Sequence, residues 1–188
     1  MKLLIIDNYD SFTYNLVQMI DEIPIVKYEV KKHDKISLDE VDEYEKILIT
    51  PGPGLPKDYP ILKKIIFGYG KTKSILGICL GHQAIAEAFG SELFKQVSVA
   101  HGVTKQIVIN TEDYLFRDLG KTITVGLYHS WAVSNKNFPK ELIITASSED
   151  GVIMALSHKL YDVRGVQFHP ESIMTPMGKE ILGNWLGA

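Results

Sequence analysis

The sequence has little cysteine, little net charge and no long apolar run. Cys79 is the only cysteine among the 188 residues, which excludes an internal disulfide framework and fits a reducing compartment. The formal net charge of −3 gives no electrostatic reason to expect nucleic acid or an anionic membrane as a partner. No segment approaches the roughly 20 apolar residues that span a bilayer, and the apolar run in residues 1–7 is too short for a signal peptide. We therefore expect a cytoplasmic protein.

Motifs for cofactors and metals are also missing. The G-x-G-x-x-G fingerprint of dinucleotide sites is absent. Gly70-Lys71-Thr72 looks like the end of a phosphate-binding loop, but Ile65 stands where that loop needs a glycine. No group of histidines, carboxylates and cysteine has the spacing of a zinc site. We expect no metal and no organic cofactor.

Apolar runs and helical spacings alternate along the first half of the chain. Predicted strands cover residues 3–6, 26–30, 46–50 and 74–76, and predicted helices cover residues 12–22, 61–67 and 83–89. This order predicts an α/β fold, a three-layer open sheet that is mainly parallel and carries helices on both faces.

The second half of the chain is richer in β-type runs. These runs cover residues 103–109, 122–127, 142–146 and 152–156, followed by a last strand at 163–168 and a closing helix at 178–186. They predict a mixed or antiparallel C-terminal section of the sheet. The length suits one well-buried core better than two, and no linker divides the chain, so residues 1–188 are predicted to form a single domain.

The stretch with the clearest chemical meaning is residues 77–82, Gly-Ile-Cys-Leu-Gly-His, between a strand and a helix. A strand, a sharp turn flanked by glycines and a helix make a nucleophile elbow, here with cysteine as the nucleophile. Such a turn would lift Cys79 out of the fold, beside a helix N-terminus that favours the thiolate. The alternative is a buried cysteine in an ordinary βα turn, which the paired glycines disfavour.

A cysteine nucleophile needs a histidine base and a group that orients it. Among six histidines, His169 is the best candidate, because it directly follows a predicted strand. Residues 169 and 171 of an extended segment point to the same side, so Glu171 can lie beside the imidazole. Pro170 would hold the pair rigid. The alternative is a surface histidine next to an unrelated glutamate.

The other five histidines are weaker candidates. His33 and His158 lie near charged residues and are expected to be solvated. His82 lies on the helix of the elbow and could point away from the cleft. His101 and His129 are predicted to lie in loops and remain possible.

An oxyanion formed by attack of the thiolate needs N–H donors. The Leu80 N–H opens the helix of the elbow and is one candidate. The Gly52 N–H, in the sequence Pro-Gly-Pro-Gly at residues 51–54, is the other, although such sequences are often ordinary turns. Ligands of open α/β sheets bind beyond the carboxyl ends of the strands. We therefore expect residues 8–11, residues 51–54 and the elbow to lie along one rim.

Three motifs together resemble the class I (triad-type) glutamine amidotransferases. They are Gly-Ile-Cys-Leu-Gly-His-Gln at 77–83, Pro-Gly-Pro-Gly at 51–54 and Gly-Val-Gln-Phe-His-Pro-Glu-Ser at 165–172. The opening Asp-Asn-Tyr-Asp-Ser-Phe-Thr-Tyr-Asn at 7–15 is similar to that of the small subunits of anthranilate synthase and of aminodeoxychorismate (para-aminobenzoate) synthase. The resemblance spans the whole chain.

The resemblance implies a catalytic triad of Cys79, His169 and Glu171. Cys79 would form a glutamyl thioester from L-glutamine and release ammonia, while the Gly52 and Leu80 N–H groups stabilise the oxyanion. By the same resemblance, the residues that hold glutamine are Gly52, Pro53, Gly54, Gln83, Ser130 and Trp131. Tryptophan at 131 replaces the usual leucine, and residues 100–103 depart from the commoner His-Gly-Lys pattern.

The partner implied by the resemblance is a separate, larger chorismate-binding synthase subunit that receives the ammonia. Residues 8–11 and the rim of the elbow are expected to form part of that interface. We slightly favour anthranilate synthase over aminodeoxychorismate synthase. Two other functions remain as hypotheses: another cysteine hydrolase of the same fold, such as a γ-glutamyl peptidase, and a non-catalytic interaction module.

Overall fold

The computed structural model describes residues 1–23, 27–97 and 100–187. Within these ranges eleven strands and five α-helices alternate with two short 3-10 helices, Pro56–Asp58 and Tyr114–Phe116. The strands are β1 (Lys2–Asp7), β2 (Lys27–Lys32), β3 (Lys46–Ile49), β4 (Ser74–Ile78), β5 (Leu93–Lys95), β6 (Val103–Ile109), β7 (Thr122–Leu127), β8 (Trp131–Val133), β9 (Leu142–Ser148), β10 (Ile153–His158) and β11 (Val163–Val166). The helices are α1 (Thr13–Asp21), α2 (Leu38–Val41), α3 (Pro60–Tyr69), α4 (Leu80–Ala88) and α5 (Gly178–Leu186).

Nine of the described strands form one sheet, in the order β2-β1-β3-β4-β11-β10-β9-β6-β7. The five strands from β2 to β11 are parallel. From β11 onward, the pairs through β10, β9, β6 and β7 are antiparallel. The predicted fold class is therefore confirmed, including the change from a parallel to an antiparallel section. β5 and β8 pair separately as a short antiparallel ribbon.

The sheet is covered on both faces, which explains the apolar runs of its central strands. Alternate residues of β1 serve opposite faces: Leu3 and Ile5 join a core cluster with α1 and α5, and Leu4 and Ile6 join one with α3 and α4. All four side chains are fully buried, and each such burial stabilises the fold by roughly 1.5–3 kcal/mol.

Differences from the predicted elements are confined to ends and short pieces. The predicted strand at 26–30 begins at Lys27 in the structure, and Val26 lies outside the described residues. Sequence reasoning missed α2, although its signal was present, since Glu40 accepts hydrogen bonds from the Ser37 N–H (2.8 Å) and Oγ–H (2.9 Å). The ribbon of β5 and β8 was also missed, because three-residue strands carry almost no periodicity.

Candidate active site

The carboxyl ends of the parallel strands meet at one edge of the sheet. Asn8, after β1, donates its backbone N–H to Thr50 Oγ1 (3.1 Å) and its side-chain amide to the Thr50 carbonyl after β3 (2.8 Å). A methyl group at Gly52 would fall 2.5 Å from Leu80 Cδ2 and 2.7 Å from Asn8 Cβ. The three loops predicted to share a rim are therefore in direct contact.

The turn at Cys79 is a strained elbow. Its φ of 51° and ψ of −98° lie in a region that costs non-glycine residues about 1–3 kcal/mol. Glycines make the turn possible, since a Cβ on Gly77 would lie 2.4 Å from the Gly81 carbonyl and one on Gly81 would lie 2.5 Å from the Ile49 oxygen. The Cys79 N–H is fixed by the Val166 carbonyl of β11 (2.8 Å). Backbone packing thus holds the cysteine at the junction of β4 and α4.

Cys79 is more buried than the sequence suggested. The expectation of an exposed thiol is wrong, because only 8% of the residue is accessible. The residue packs into the core cluster that contains Ile78 and Phe168, and the Gln167 side-chain amide donates to its sulfur over 3.5 Å. Cys79 also lines a cavity, through which a small ligand can approach it.

His169 and Glu171 form a buried pair beside the elbow. His169 Nδ1 lies 2.6 Å from Glu171 Oε1, so a neutral or protonated ring donates to the carboxylate. The rings of Phe12 and Tyr128 surround the imidazole at 5.3 and 5.0 Å between centroids, and Thr175 Oγ1 donates to the His169 carbonyl (2.7 Å). The ring orientation is therefore fixed from several sides.

Charge near His169 favours the imidazolium. Burial by itself lowers the pKa of His169, but the negative charges of Cys79 and Glu171 outweigh it and raise this pKa to about 10. A thiolate and an imidazolium in a buried site stabilise each other. His169 can therefore hold a proton at neutral pH, next to the sulfur of Cys79.

A cavity of about 200 Å³ adjoins Cys79. It lies between residues 52–54, residues 128–131 and the start of α4. Its volume suits a small metabolite. The residues that line it are Gly52, Pro53, Gly54, Cys79, Leu80, Gln83, Tyr128, His129, Ser130 and Trp131. Every residue that the resemblance assigned to glutamine or to the oxyanion is brought together here. A larger cavity, about 600 Å³ at residues 109–121, does not include Cys79, so chemistry rather than size identifies the site.

The side-chain amide nitrogen of Gln83 makes its hydrogen bonds to other residues of the protein. Nε2 donates to the Trp131 carbonyl (2.9 Å) and to Gln167 Oε1 (3.1 Å). Both of its protons are thus occupied, and only the amide oxygen remains for a ligand. Sequence reasoning missed Gln167 and Tyr128, which contact Cys79 and His169 respectively. The only available signal was a polar residue inside the apolar end of the last strand.

Two of the other histidines, His33 and His158, differ from expectation. His158 is buried: its Nδ1 accepts the N–H groups of Leu160 (3.1 Å) and Tyr161 (3.0 Å), so the expectation of a solvated side chain is wrong. His33 is half-buried between aromatic rings instead of solvated. His129 lines the cavity, whereas His101 is exposed.

His82 lies on α4 and packs against Gly165 of β11. It makes the stability of the fold depend on pH. Burial lowers the pKa of this fully buried ring from 6.5 to about 3. Between these values the unfolded chain takes up a proton that the folded protein excludes. Stability should therefore fall as the pH falls through this window, by up to about 1.4 kcal/mol per pH unit from His82.

Urea unfolding of the native chain and of His82→Gln at several pH values checks this expectation. The variant should show a shallower loss of stability on acidification, because glutamine takes up no proton. His101→Gln is the matched control, since that side chain is exposed, and it should follow the native chain. Equal slopes for His82→Gln and the native chain would contradict the expectation.

The described residues contain neither a candidate metal site nor a membrane-spanning helix. Within ranges 1–23, 27–97 and 100–187 no group of three or more His, Cys, Asp or Glu side chains could hold a metal ion. Nor is any described helix long and apolar enough to cross a bilayer.

Comparisons with known proteins cover nearly the whole chain. The family model for class I glutamine amidotransferases matches residues 4–187. The chain is 46% identical over 187 residues to anthranilate synthase component 2 of Cyanophora paradoxa, covering 98% of this chain and 97% of that one. It is 42% identical over 186 residues to aminodeoxychorismate synthase component 2 of Escherichia coli K12, covering 98% of each. A solved structure from Thermoplasma acidophilum, described as a component of GMP synthase, has a TM-score of 0.89 at 26% identity, covering 100% of this chain and 92% of that chain.

Proposed function

The chain belongs to the class I glutamine amidotransferase family, and we propose that it is the glutaminase subunit of a chorismate-aminating synthase. It would cleave L-glutamine through Cys79 and pass ammonia to a larger, chorismate-binding subunit. One observation carries the proposal: a strained Cys79 adjoins a 200 Å³ cavity, with the His169–Glu171 pair (2.6 Å) buried beside it.

Glutamine would lie in that cavity with its side-chain amide at Cys79. Residues 52–54, Gln83, Ser130 and Trp131 line the space for it. An acceptor such as Gln83 Oε1 suits an N–H of the substrate.

The first step is attack of the Cys79 thiolate on the carboxamide carbon. The carbonyl oxygen gains the negative charge, and N–H donors aimed at that oxygen lower the barrier. The Gly52 and Leu80 N–H groups are our candidates, because these two residues are in contact beside Cys79.

In the next step the tetrahedral intermediate collapses to a glutamyl thioester. The imidazolium of His169 gives its proton to the leaving nitrogen, which departs as ammonia. Neutral His169 then takes a proton from water, whose oxygen attacks the thioester carbon. Glutamate leaves, and Cys79 and His169 return to their charged forms. The balance is glutamine and water to glutamate and ammonia.

A larger subunit is proposed as the acceptor of the ammonia. Two relatives at 46% and 42% identity are named component 2 of anthranilate synthase and of aminodeoxychorismate synthase, which supports such a partner. Exposed apolar side chains next to the rim offer a contact surface: Tyr9 is 53%, Tyr14 63% and Ile173 96% exposed. Because a free, reactive thiol is suited to a reducing compartment, we place the enzyme in the cytoplasm.

Reconstitution with candidate large subunits tests the proposal. The chain is mixed with each chorismate-using synthase subunit of the source cell, and aminated product is measured with glutamine or with an ammonium salt as nitrogen donor. We expect one pair to form product from glutamine, and the identity of that product assigns the pathway. Cleavage of γ-glutamyl peptides without glutamine-dependent amination would favour the hydrolase alternative instead.

Glu171→Gln should slow glutamine cleavage without unfolding the protein. Glutamine keeps the shape but removes a charge that raises the pKa of His169, so the imidazole holds its proton less firmly and loses an acceptor of fixed direction. We expect kcat to fall by at least about 10²-fold with little change in KM, since Glu171 does not line the cavity. Steady-state kinetics of the reconstituted complex measure both constants.

Glu180→Gln is the matched control for that substitution. Glu180 is exposed on α5, and its replacement should leave kcat unchanged. A Glu171→Gln enzyme with native kcat would remove Glu171 from the proposed triad.

A further inference from the structure

A buried amide contacts the sulfur of the proposed nucleophile. Gln167 lies between the end of β11 and His169 and is fully buried. Its Nε2 lies 3.5 Å from Cys79 Sγ, and its backbone N–H is bound to the Met154 carbonyl of β10 (2.8 Å). A buried glutamine is expected to satisfy its polar atoms inside the protein, and this one does so on the reactive sulfur.

The direction of this contact follows from the groups behind it. A backbone carbonyl can only accept, so the Gln83 atom that faces the Trp131 oxygen is the nitrogen. The same Gln83 nitrogen faces Gln167 (3.1 Å), so the Gln167 atom there is the oxygen. The Gln167 nitrogen is then the atom that remains to face Cys79.

His129 supports the same assignment. Its Nδ1 lies 2.9 Å from the Trp131 oxygen and therefore donates to it. Burial lowers the pKa of His129, which keeps the ring neutral and this tautomer in place. The Trp131 carbonyl is thus a fixed acceptor for Gln83, which in turn donates to Gln167.

A donor aimed at sulfur discriminates between its two states. An N–H group binds a thiolate more strongly than a neutral thiol, because hydrogen bonds to charged acceptors are stronger. We propose that Gln167 is a positioning residue that holds the Cys79 thiolate for attack, with Gln83 and the Trp131 carbonyl fixing its direction. The proposal rests on the role of Cys79 as nucleophile.

Other titratable groups also face Cys79. His169 acts on it from the segment after β11, with Glu171 behind, and His129 faces the same cavity from the loop before β8. An effect of Gln167 must therefore be measured as a difference between variants that keep these groups.

Alkylation of Cys79 measures its thiolate form directly, since the chain has no other cysteine. The rate with iodoacetamide is followed against pH for the native chain, Gln167→Met and Gln167→Glu. Methionine fills similar space without a donor and adds no charge, so it isolates the loss of the N–H group. An ionised glutamate can still accept from Gln83 but cannot donate, and its own negative charge raises the midpoint further. We expect the pH midpoint to rise by roughly one unit in Gln167→Met and by more in Gln167→Glu, with alkylation at the native midpoint several-fold slower.

Gln106→Glu is the matched control, because Gln106 is exposed on β6, and its midpoint should equal that of the native chain. Native midpoints in both Gln167 variants would overturn the proposal, even if those variants unfold more easily. This assay uses no glutamine, so it can fail while glutamine cleavage stands, or succeed while glutamine cleavage fails.

The native chain offers a second measurement if the variants do not fold. Of the five glutamine side chains, only those of Gln167 and Gln83 should have amide NMR signals that shift at the pH midpoint of Cys79 alkylation. Amide signals that stay constant through that midpoint would overturn the proposal.

Discussion

Replacing Cys79 with alanine should reduce glutamine-dependent product formation by at least about 10⁴-fold, because loss of a nucleophile removes the covalent pathway. Formation of the same product from an ammonium salt should persist, since that route needs only the larger subunit. The two nitrogen donors are compared in one reconstituted complex, so the ammonium reaction also shows that the complex has assembled.

Cys79→Ser is the companion variant. It keeps a hydroxyl at the strained turn, but a hydroxyl is far less acidic than a thiol, so it is a poor nucleophile even beside His169. We expect this variant to be nearly as inactive as the alanine variant. Unchanged glutamine-dependent activity in Cys79→Ala would refute the catalytic role and favour a non-catalytic interaction module.

Replacing Gly178 with alanine should damage both the fold and the active site. A Cβ at this first residue of α5 would lie 1.8 Å from the Pro170 oxygen, a distance that no side-chain movement can relieve. Pro170 lies between His169 and Glu171, so the displaced backbone carries that pair with it. We expect the free energy of unfolding to fall by about 3 kcal/mol and kcat to fall by at least about 10²-fold.

Gly183→Ala is the matched control in the same helix. A Cβ there would meet nothing within 4 Å, so alanine should stabilise the helix by about 0.5–1 kcal/mol and leave kcat unchanged. Urea unfolding and kinetics of the complex check both variants. A Gly178→Ala protein as stable as the native chain would show that α5 and the Pro170 segment can separate without cost.

The central strands and the elbow could be predicted because their causes are local. Strands buried on both faces are continuous apolar runs, and β1, β3 and β4 lie close to their predicted positions. The glycines at 77 and 81 indicated a tight turn, and the structure shows the close backbone contacts that require them. The rim followed from topology, since parallel strands bring their carboxyl ends to one edge.

Features that depend on distant contacts could not be predicted. His158 appeared to be a charged-surface residue, yet Phe89, which is far away in sequence, covers its ring together with the nearby Tyr161. The burial of Cys79 depends on packing against residues such as Phe168, far away in sequence. Gln167 gains its role from Gln83 and Cys79, both more than 80 residues away. No local sequence pattern predicts contacts between residues that are so far apart in the chain.

The contact that Trp131 makes with Gln83 has a consequence for how this site can evolve. It is made by a backbone carbonyl, and every amino acid supplies the same oxygen, so no particular codon is needed to preserve it. The contact does not depend on which side chain stands at position 131. The side chain at position 131 can therefore change without loss of this contact. Because Trp131 also lines the cavity, library mutagenesis there can reshape the cavity for a different substrate while Gln83 keeps its acceptor.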